Sequence, residues 1–183
     1  MDFVYIKGLI EFEEDYNLEA AIDMLYTKWS TNKNDIGILR RLIAECWIDE
    51  AYFQDRHTVI DYNKARRTLR EATEYALTVF PENAEICWQI GYMMELFPYL
   101  FTRDGEDERA AEEYAKNLLR LAYEAEPTNA VYEASYHWIL SDEYEEHVKL
   151  RDKAFAFASS EGYFNGDTAI EKYFKQVFYQ TND

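Results

Sequence analysis

Two cysteines and three histidines are the side chains of this 183-residue sequence that chemistry most often uses. Cys46 and Cys87 each lie within an aromatic and apolar stretch, and neither belongs to a C-x-x-C pair. Thiols in such surroundings are typically buried and reduced, and the spacing of cysteines and histidines does not match a metal site. We therefore expect reduced cysteines and no metal or cofactor.

Acid/base chemistry has one candidate pair in the sequence. Glu143 and His147 are four residues apart, so a helix could present them together as a metal or proton-transfer pair. His137 lies beside Trp138 in an apolar stretch, which is typical of a core histidine. The six glycines form no phosphate-binding loop, and no serine has the glycine context of a nucleophile. We expect no enzyme; the alternative is an enzyme or metal protein that uses carboxylates with His137 or His147.

Apolar residues recur at helical spacing through almost the whole sequence. One stripe runs from Leu18 to Trp29, a second from Ile36 to Phe53 and a third from Val59 to Val79. The period-2 alternation of strands is hardly visible, so the pattern predicts an all-α fold of eight or nine helices. Only short polar turns separate the stripes. We therefore expect a single α-helical domain over residues 1–183.

Capping and breaking residues mark where these helices begin and end. Asn34 or Asp35 is the expected N-cap of the second stripe. Pro81 and Pro127 each follow a helical stretch that they cannot continue. The turn at residues 165–168 ends in a threonine suited to cap a closing helix.

The two prolines lie 46 positions apart and mark an internal repeat. Segment 76–84 aligns with segment 122–130, and an alanine, the proline, an asparagine and a second alanine coincide. This junction resembles that of the tetratricopeptide (TPR) repeat, and Ile90-Gly91 falls where that repeat has Leu-Gly. The resemblance covers residues 76–130 and implies a stack of antiparallel helix pairs. It places Ala115 opposite Gly91, so that two helices approach closely.

The sequence departs from the TPR pattern in three places, one of which is upstream of Pro81, where Leu69 and Thr73 replace the expected alanine and large apolar residue. Its repeat carries about 12 residues more than the standard unit. The spacing from Gly91 to Ala115 places this surplus near residues 97–103, between the paired helices. In the following unit, His137 stands where the pattern has glycine. An irregular helical bundle is the alternative architecture.

The charge balance excludes several kinds of partner. The chain has 19 basic and 36 acidic residues and a net charge of −17, which disfavours nucleic acids and anionic membranes. From residue 104 to residue 146 there are 13 acidic and three basic residues. The sequence begins without a signal-like segment and contains no apolar run of membrane-spanning length. We expect a cytoplasmic protein.

By the TPR resemblance, the helix face opposite Gly91 lines a concave groove with the matching faces of the neighbouring units. These faces and the acidic run that follows them carry aromatic rings and carboxylates. Such a surface suits a cationic partner, because rings anchor it and carboxylates steer it. The expected partner-binding residues are Glu45, Asp49, Trp88, Tyr92, Glu95, Trp138, Asp142, Glu143, Glu145 and Glu146.

The favoured hypothesis from the sequence is a non-catalytic module that captures a basic protein. A small, acidic, tyrosine-rich chain of this kind looks like a bacterial immunity protein, the neutralising partner of a cationic nuclease toxin. This likeness rests on charge and size rather than on a motif. A TPR-type adaptor or chaperone is the neighbouring alternative.

Overall fold

The computed structural model describes residues 3–53, 57–103, 105, 107–138 and 144–179, and within these ranges every regular element is helical. The prediction of an all-α fold with eight or nine helices is confirmed for this part of the chain. A π-helical turn at Asp49–Phe53 follows α3, and a 3-10 turn at Pro98–Leu100 follows α5. The α-helices are α1 (Leu9–Glu14), α2 (Leu18–Thr31), α3 (Ile36–Ile48), α4 (Tyr62–Val79), α5 (Ala84–Leu96), α6 (Glu108–Ala125), α7 (Ala130–Trp138), α8 (Tyr144–Glu161) and α9 (Ala169–Tyr179).

Side-chain caps begin several of these helices where the sequence predicts them. Asp35 Oδ1 accepts a hydrogen bond from the backbone N–H of Ile38 at 3.0 Å, which begins α3. Asn83 lies two residues after the helix-breaking Pro81, and its Oδ1 accepts a hydrogen bond from the N–H of Ile86 at 3.0 Å, which begins α5. Each cap satisfies a backbone donor that the first helical turn leaves without an intrahelical partner.

Contacts between residues group the chain into two compact units. Within the described ranges, the first unit comprises residues 3–76 and 164–175, and the second comprises residues 77–163 and 176–179. The expectation of a single domain over residues 1–183 stays a prediction. None of the described helices is long and apolar enough to span a membrane.

In the first unit, α2 packs against α3 and also meets α4 through aromatic side chains. Trp29 of α2 is fully buried. Its ring meets those of Tyr26 and Tyr75 edge-on, with centroids 5.7 and 5.4 Å away. Lys33 Nζ lies 4.5 Å from the centroid of the same ring, a cation–π contact. The apolar stripe predicted for α2 is therefore its buried face.

Helix α3 buries charged side chains as well as apolar ones. Arg41 is fully buried and forms ion pairs with Glu13 of α1 and with Glu45, whose Oε2 lies 3.2 Å from Arg41 Nη2. Burial lowers the pKa of Arg41 and raises the pKa of Glu45, and the attraction between the two opposes both shifts. Buried charges of this kind are stabilised by the opposite charge beside them, because water does not reach them.

The placement of Glu45 and Asp49 on an open groove is corrected by this packing. Their exposed fractions are 1% and 5%, so neither offers a surface to a partner. Glu45 is committed to Arg41, and Asp49 hydrogen-bonds the hydroxyl of Tyr62. Both carboxylates belong to the interior of the first unit.

The first unit also contains the start of α9. Thr168 and Glu171 form a capping box, in which each side chain accepts a hydrogen bond from the other's backbone N–H at 3.3 Å. Glu13 Oε2 accepts from the N–H of Ala169 at 2.7 Å. A Cβ at Gly166 would collide with the Glu171 carboxylate, which would have to shift. The predicted threonine cap is confirmed.

In the second unit, helices pack as neighbouring pairs, α5 with α6 and α7 with α8, an arrangement compatible with a helical repeat. Gly91 of α5 lies at the closest approach to α6. A Cβ there would be 3.0 Å from the carbonyl oxygen of Ala115 and 3.0 Å from Leu119 Cγ. The predicted close approach of the two helices at Gly91 and Ala115 is confirmed. Residues 97–103, where the sequence places the surplus, lie in the connection between α5 and α6.

Candidate functional site

A pocket in the second unit is lined by the C-terminal turns of α5 and α7, by α6 and α8, and by the last turn of α9. Its volume is about 150 Å³, enough for one benzene-sized group. Its walls are mainly apolar, with one carboxylate and one guanidinium among them. Its lining includes Tyr92, Glu95, Leu96, Trp138, Arg151 and Phe178.

Two of these apolar residues are unusually open to solvent. Trp138, the last residue of α7, has an exposed fraction of 51%, and Leu96, the last residue of α5, has one of 45%. Large apolar side chains that are exposed side by side often mark a surface that another molecule covers. They form an apolar rim on one pocket.

Glu95 is the acidic group of the pocket. Its Oε2 atom is buried and accepts no hydrogen bond from a donor in the described part of the chain. Burial is the largest cause of a raised Glu95 pKa; Glu112 and Glu113 raise it further, and Lys116 opposes them. A buried carboxylate oxygen without a donor is costly, because it loses its water and gains nothing in exchange.

The Trp138 ring is held in place from one side. The His147 ring of α8 stacks on it, with centroids 5.3 Å apart and planes 16° from parallel. Tyr92 is held similarly, since it stacks on Trp88 with a centroid distance of 5.8 Å. Two rings at the pocket are thus oriented by neighbours before anything binds, which lowers the entropy cost of binding.

Trp88 itself is not part of an accessible surface, which corrects its place among the predicted anchors. The side chain is fully buried, and its Nε1–H donates to Ser135 Oγ at 2.9 Å. Ser135 in turn donates to the carbonyl oxygen of Val131 at 2.8 Å. Trp88 therefore supports Tyr92 and α7 from the core. The Ser135 hydroxyl is occupied on both sides and is not an available nucleophile.

No family model matches the chain. Searches of curated proteins and of solved structures likewise return no match. The TPR resemblance accordingly stays a prediction beyond the packing of helices in neighbouring pairs.

The predicted acidic run falls partly outside the described residues. Glu145 and Glu146 are exposed in the first turn of α8, where carboxylates interact favourably with the helix dipole. Asp142 and Glu143 lie outside the described ranges, and so does any pairing of Glu143 with His147. No group of three or more histidine, cysteine or acidic residues in the described ranges is arranged to hold a metal ion.

His137 and the cysteines lie away from the pocket lining. The His137 ring meets Tyr123 edge-on at 5.5 Å between centroids, and it is not among the pocket residues. Cys46 and Cys87 are buried free thiols, as predicted. Burial raises the pKa of both thiols, and the carboxylate of Glu45 adds to the shift at Cys46. Thiols of this kind are poor nucleophiles.

Sequence reasoning did not identify the pocket residues that come from α8 and α9. Arg151, Val177 and Phe178 line the pocket, and they come from segments with no counterpart in the 76–130 repeat. The only available signal was the amphipathic pattern of residues 169–179, which shows that α9 has an apolar face but not what that face covers.

The arrangement can bind a side chain. Its apolar walls can desolvate a side chain, its rings offer flat contact area, and Glu95 offers one oxygen for a donor. Catalysis by proton transfer would also need a second group positioned near Glu95. Ser135 is occupied by other partners, and Arg151 Nη2 lies 3.3 Å from Asp152 Oδ1.

Proposed function

We propose that this protein is a non-catalytic binding module that captures a basic protein through the pocket formed at the ends of α5 and α7. The observation that carries the proposal is the convergence of Tyr92, Glu95 and Trp138 in one pocket. The TPR resemblance of the sequence predicts these three residues on a partner-binding face. Half-exposed Trp138 and Leu96 supply the apolar anchors.

The charge of the chain supports a basic partner. A net charge of −17 attracts cationic proteins over distances beyond direct contact and raises their encounter rate. The exposed Glu145 and Glu146 lie on α8, whose His147 stacks on the Trp138 ring of the pocket. Steering charges and an apolar anchor thus occur in the same unit.

Within this class, we favour an immunity protein that neutralises a cationic, nuclease-type toxin in the cytoplasm. The supporting features are the small size, the acidity and the aromatic pocket. A TPR-type adaptor or chaperone would use the same face on the same kind of helix pairs. A toxin-like reading frame beside the gene would favour the first version over the second.

One observation favours a function of another class. A carboxylate with a raised pKa in an apolar pocket is the kind of group that enzymes use as a general acid. In a binding module, Glu95 binds a positive group of the partner. In the second candidate function, an enzyme, Glu95 acts as a general acid. The substitution Glu95→Gln, which removes the charge, distinguishes the two functions. An enzyme would lose turnover of its substrate, whereas a binding module would lose affinity for its partner protein.

The test is a capture experiment with three immobilised baits: the parent chain, Trp138→Ala and Tyr5→Ala. Tyr5 is a matched control because it is an aromatic residue, 69% exposed, that does not line the pocket. We expect the parent and Tyr5→Ala to retain the same basic protein from a lysate of the native cell, and Trp138→Ala to lose it. Mass spectrometry identifies the protein and its charge.

Two results would contradict the proposal. An acidic partner would show that charge complementarity is not the basis of recognition. A basic partner retained equally by all three baits would show that the pocket is not the binding site. Circular dichroism of each bait, run beforehand, ensures that a lost partner does not reflect a lost fold.

A further inference from the structure

The pocket contains one unsatisfied group, and that group defines the chemistry of what fits. Glu95 Oε2 is buried in mainly apolar surroundings and meets no hydrogen-bond donor in the described part of the chain. Most buried polar atoms in proteins have a partner, so an exception calls for an explanation. An occupant that brings an N–H to this oxygen would remove the cost of its burial.

The charges near Glu95 leave the pocket negative. Three carboxylates, those of Glu95, Glu112 and Glu113, stand against Lys116, while Arg151, which lines the pocket, is paired with Asp152. The cations already have partners: Lys116 Nζ lies 3.2 Å from Glu113 Oε1, and Arg151 Nη2 lies 3.3 Å from Asp152 Oδ1. Two negative charges remain, so the donor that suits Glu95 carries a positive charge.

The walls select the rest of the occupant. Leu96, Leu119 and Phe178 provide apolar surface, while Tyr92 and Trp138 provide aromatic rings. An aliphatic stem packs well against such walls, and a cation is attracted to the faces of aromatic rings. The volume of about 150 Å³ admits one side chain.

We infer that the pocket receives a single cationic side chain, an arginine or a lysine of the partner, whose charged head binds Glu95 and whose stem packs against Leu96 and Trp138. This inference rests on the proposed function for the source of the side chain. Arginine fits better than lysine, because its planar guanidinium is weakly hydrated and can bind a carboxylate while it stacks on a ring.

Small-molecule probes test the pocket without the partner. Butylguanidinium and butylammonium represent the two side chains, and 1-butanol has the same stem without a charge. Each is titrated into the full chain while NMR follows the Trp138 indole N–H and the Glu95 carboxyl carbon. We expect both cations to bind at least about tenfold more tightly than 1-butanol, as a charge-assisted hydrogen bond provides. The order of the two cations distinguishes arginine from lysine.

Two variants show whether Glu95 is responsible. In Glu95→Gln, the cations should lose their advantage over 1-butanol, whereas in Glu74→Gln, which changes an exposed glutamate of α4, the advantage should persist. Lowering the pH supplies a second measurement that needs no substitution. Protonation of Glu95 should weaken binding of the cations and leave 1-butanol unaffected. The charged and titratable groups around Glu95 and the pocket are Glu112, Glu113 and Lys116 of α6, Arg151 of α8, and His147 of α8, which stacks on the Trp138 ring.

Equal affinity of the cations and 1-butanol, or an advantage that survives in Glu95→Gln, would overturn the inference. So would the absence of any change at Trp138 and Glu95 on titration. These outcomes are separate from those of the capture experiment. A basic partner that depends on Trp138 while the probes fail would leave the proposed function standing without this inference. Probes that bind while no basic protein is captured would do the reverse.

Discussion

At the scale of single residues, Glu95 shows what burial costs when the buried carboxylate oxygen accepts no hydrogen bond in the described part of the chain. Desolvation penalises its charged form, so the folded chain binds a proton more readily at this position than the unfolded chain does. Below the pKa that Glu95 has in the unfolded chain, Glu95 is neutral in both states and its contribution to folding stability is fully present. This contribution is lost as the pH rises through the higher pKa that Glu95 has in the folded chain.

Replacing Glu95 with glutamine should therefore stabilise the protein at neutral pH. The amide is never charged, so the variant avoids the loss that the parent incurs when Glu95 ionises. We expect Glu95→Gln to unfold at a higher urea concentration than the parent at pH 7.5, with the difference shrinking towards pH 4.5. Glu74→Gln, at an exposed position of α4, is the control and should show no such pH-dependent gain. An equal or lower midpoint for Glu95→Gln at pH 7.5 would mean that the carboxylate is better solvated than its burial implies.

Gly91 carries the second prediction at this scale. A leucine there would place its Cβ 3.0 Å from the backbone oxygen of Ala115, which can move only if α6 moves. Overpacking of this kind costs about 1–3 kcal/mol, which chemical denaturation can measure. Gly37→Ala is the comparison, since its Cβ would meet only ordinary contacts at 3.4 Å or more and should leave stability unchanged or slightly raised. Parent-like stability of Gly91→Leu would show that α5 and α6 are not held together at this point.

At the scale of elements, the sequence was most informative where a helix has one buried face. The stripe of α2, the caps of α3 and α5, and the Gly91 contact follow from spacing and local chemistry that a sequence displays directly. Helix α3 is different, because every residue from Leu39 to Ile48 is buried. A helix buried on all sides has no solvent face, so periodicity alone could not show that Glu45 points inward.

The same limit applies to α5 and to the pocket. Helix α5 buries Trp88 together with most of its other residues, and the part of the helix that lines the pocket is Tyr92, Glu95 and Leu96 at its C-terminal end. The contributions of α8 and α9 depend on contacts between residues far apart in sequence. Such contacts leave no short-range pattern, which is why Arg151 and Phe178 were not predicted.

Arg41 of α3 links this helix to α1 through its ion pair with Glu13. Its guanidinium is fully buried between the carboxylates of Glu13 and Glu45. Removing one partner of a buried ion pair leaves the other charge uncompensated, so Arg41→Met should destabilise the protein by about 3–5 kcal/mol. Adding Glu45→Leu in the same chain should recover part of this loss, since it removes one of the stranded charges. Additive losses in the double mutant, measured by urea denaturation, would show that Arg41 and Glu45 are not coupled.

At the scale of the whole molecule, the net charge of −17 acts over longer distances than any pocket. Salt screens exposed charges beyond about 8 Å at physiological ionic strength, so long-range attraction is the part that rising salt removes. Contacts that a bound partner makes with the mainly apolar pocket are screened less and respond much less to salt. Association and dissociation of the complex should therefore depend on different residues.

Binding kinetics with the captured basic protein as the ligand separate long-range charge attraction from contacts in the pocket. Association should slow steeply as sodium chloride rises from about 0.05 to about 0.5 M, a range that lies on both sides of physiological ionic strength. Glu145→Gln with Glu146→Gln should slow association and leave dissociation unchanged, because both carboxylates are exposed. Trp138→Ala should instead accelerate dissociation by about 30-fold, the equivalent of a hot spot of about 2 kcal/mol. If salt and the glutamine pair leave association unchanged, the acidity of the chain has no part in recognition. If Trp138→Ala slows association and leaves dissociation as it was, the tryptophan is not an anchor of the bound state.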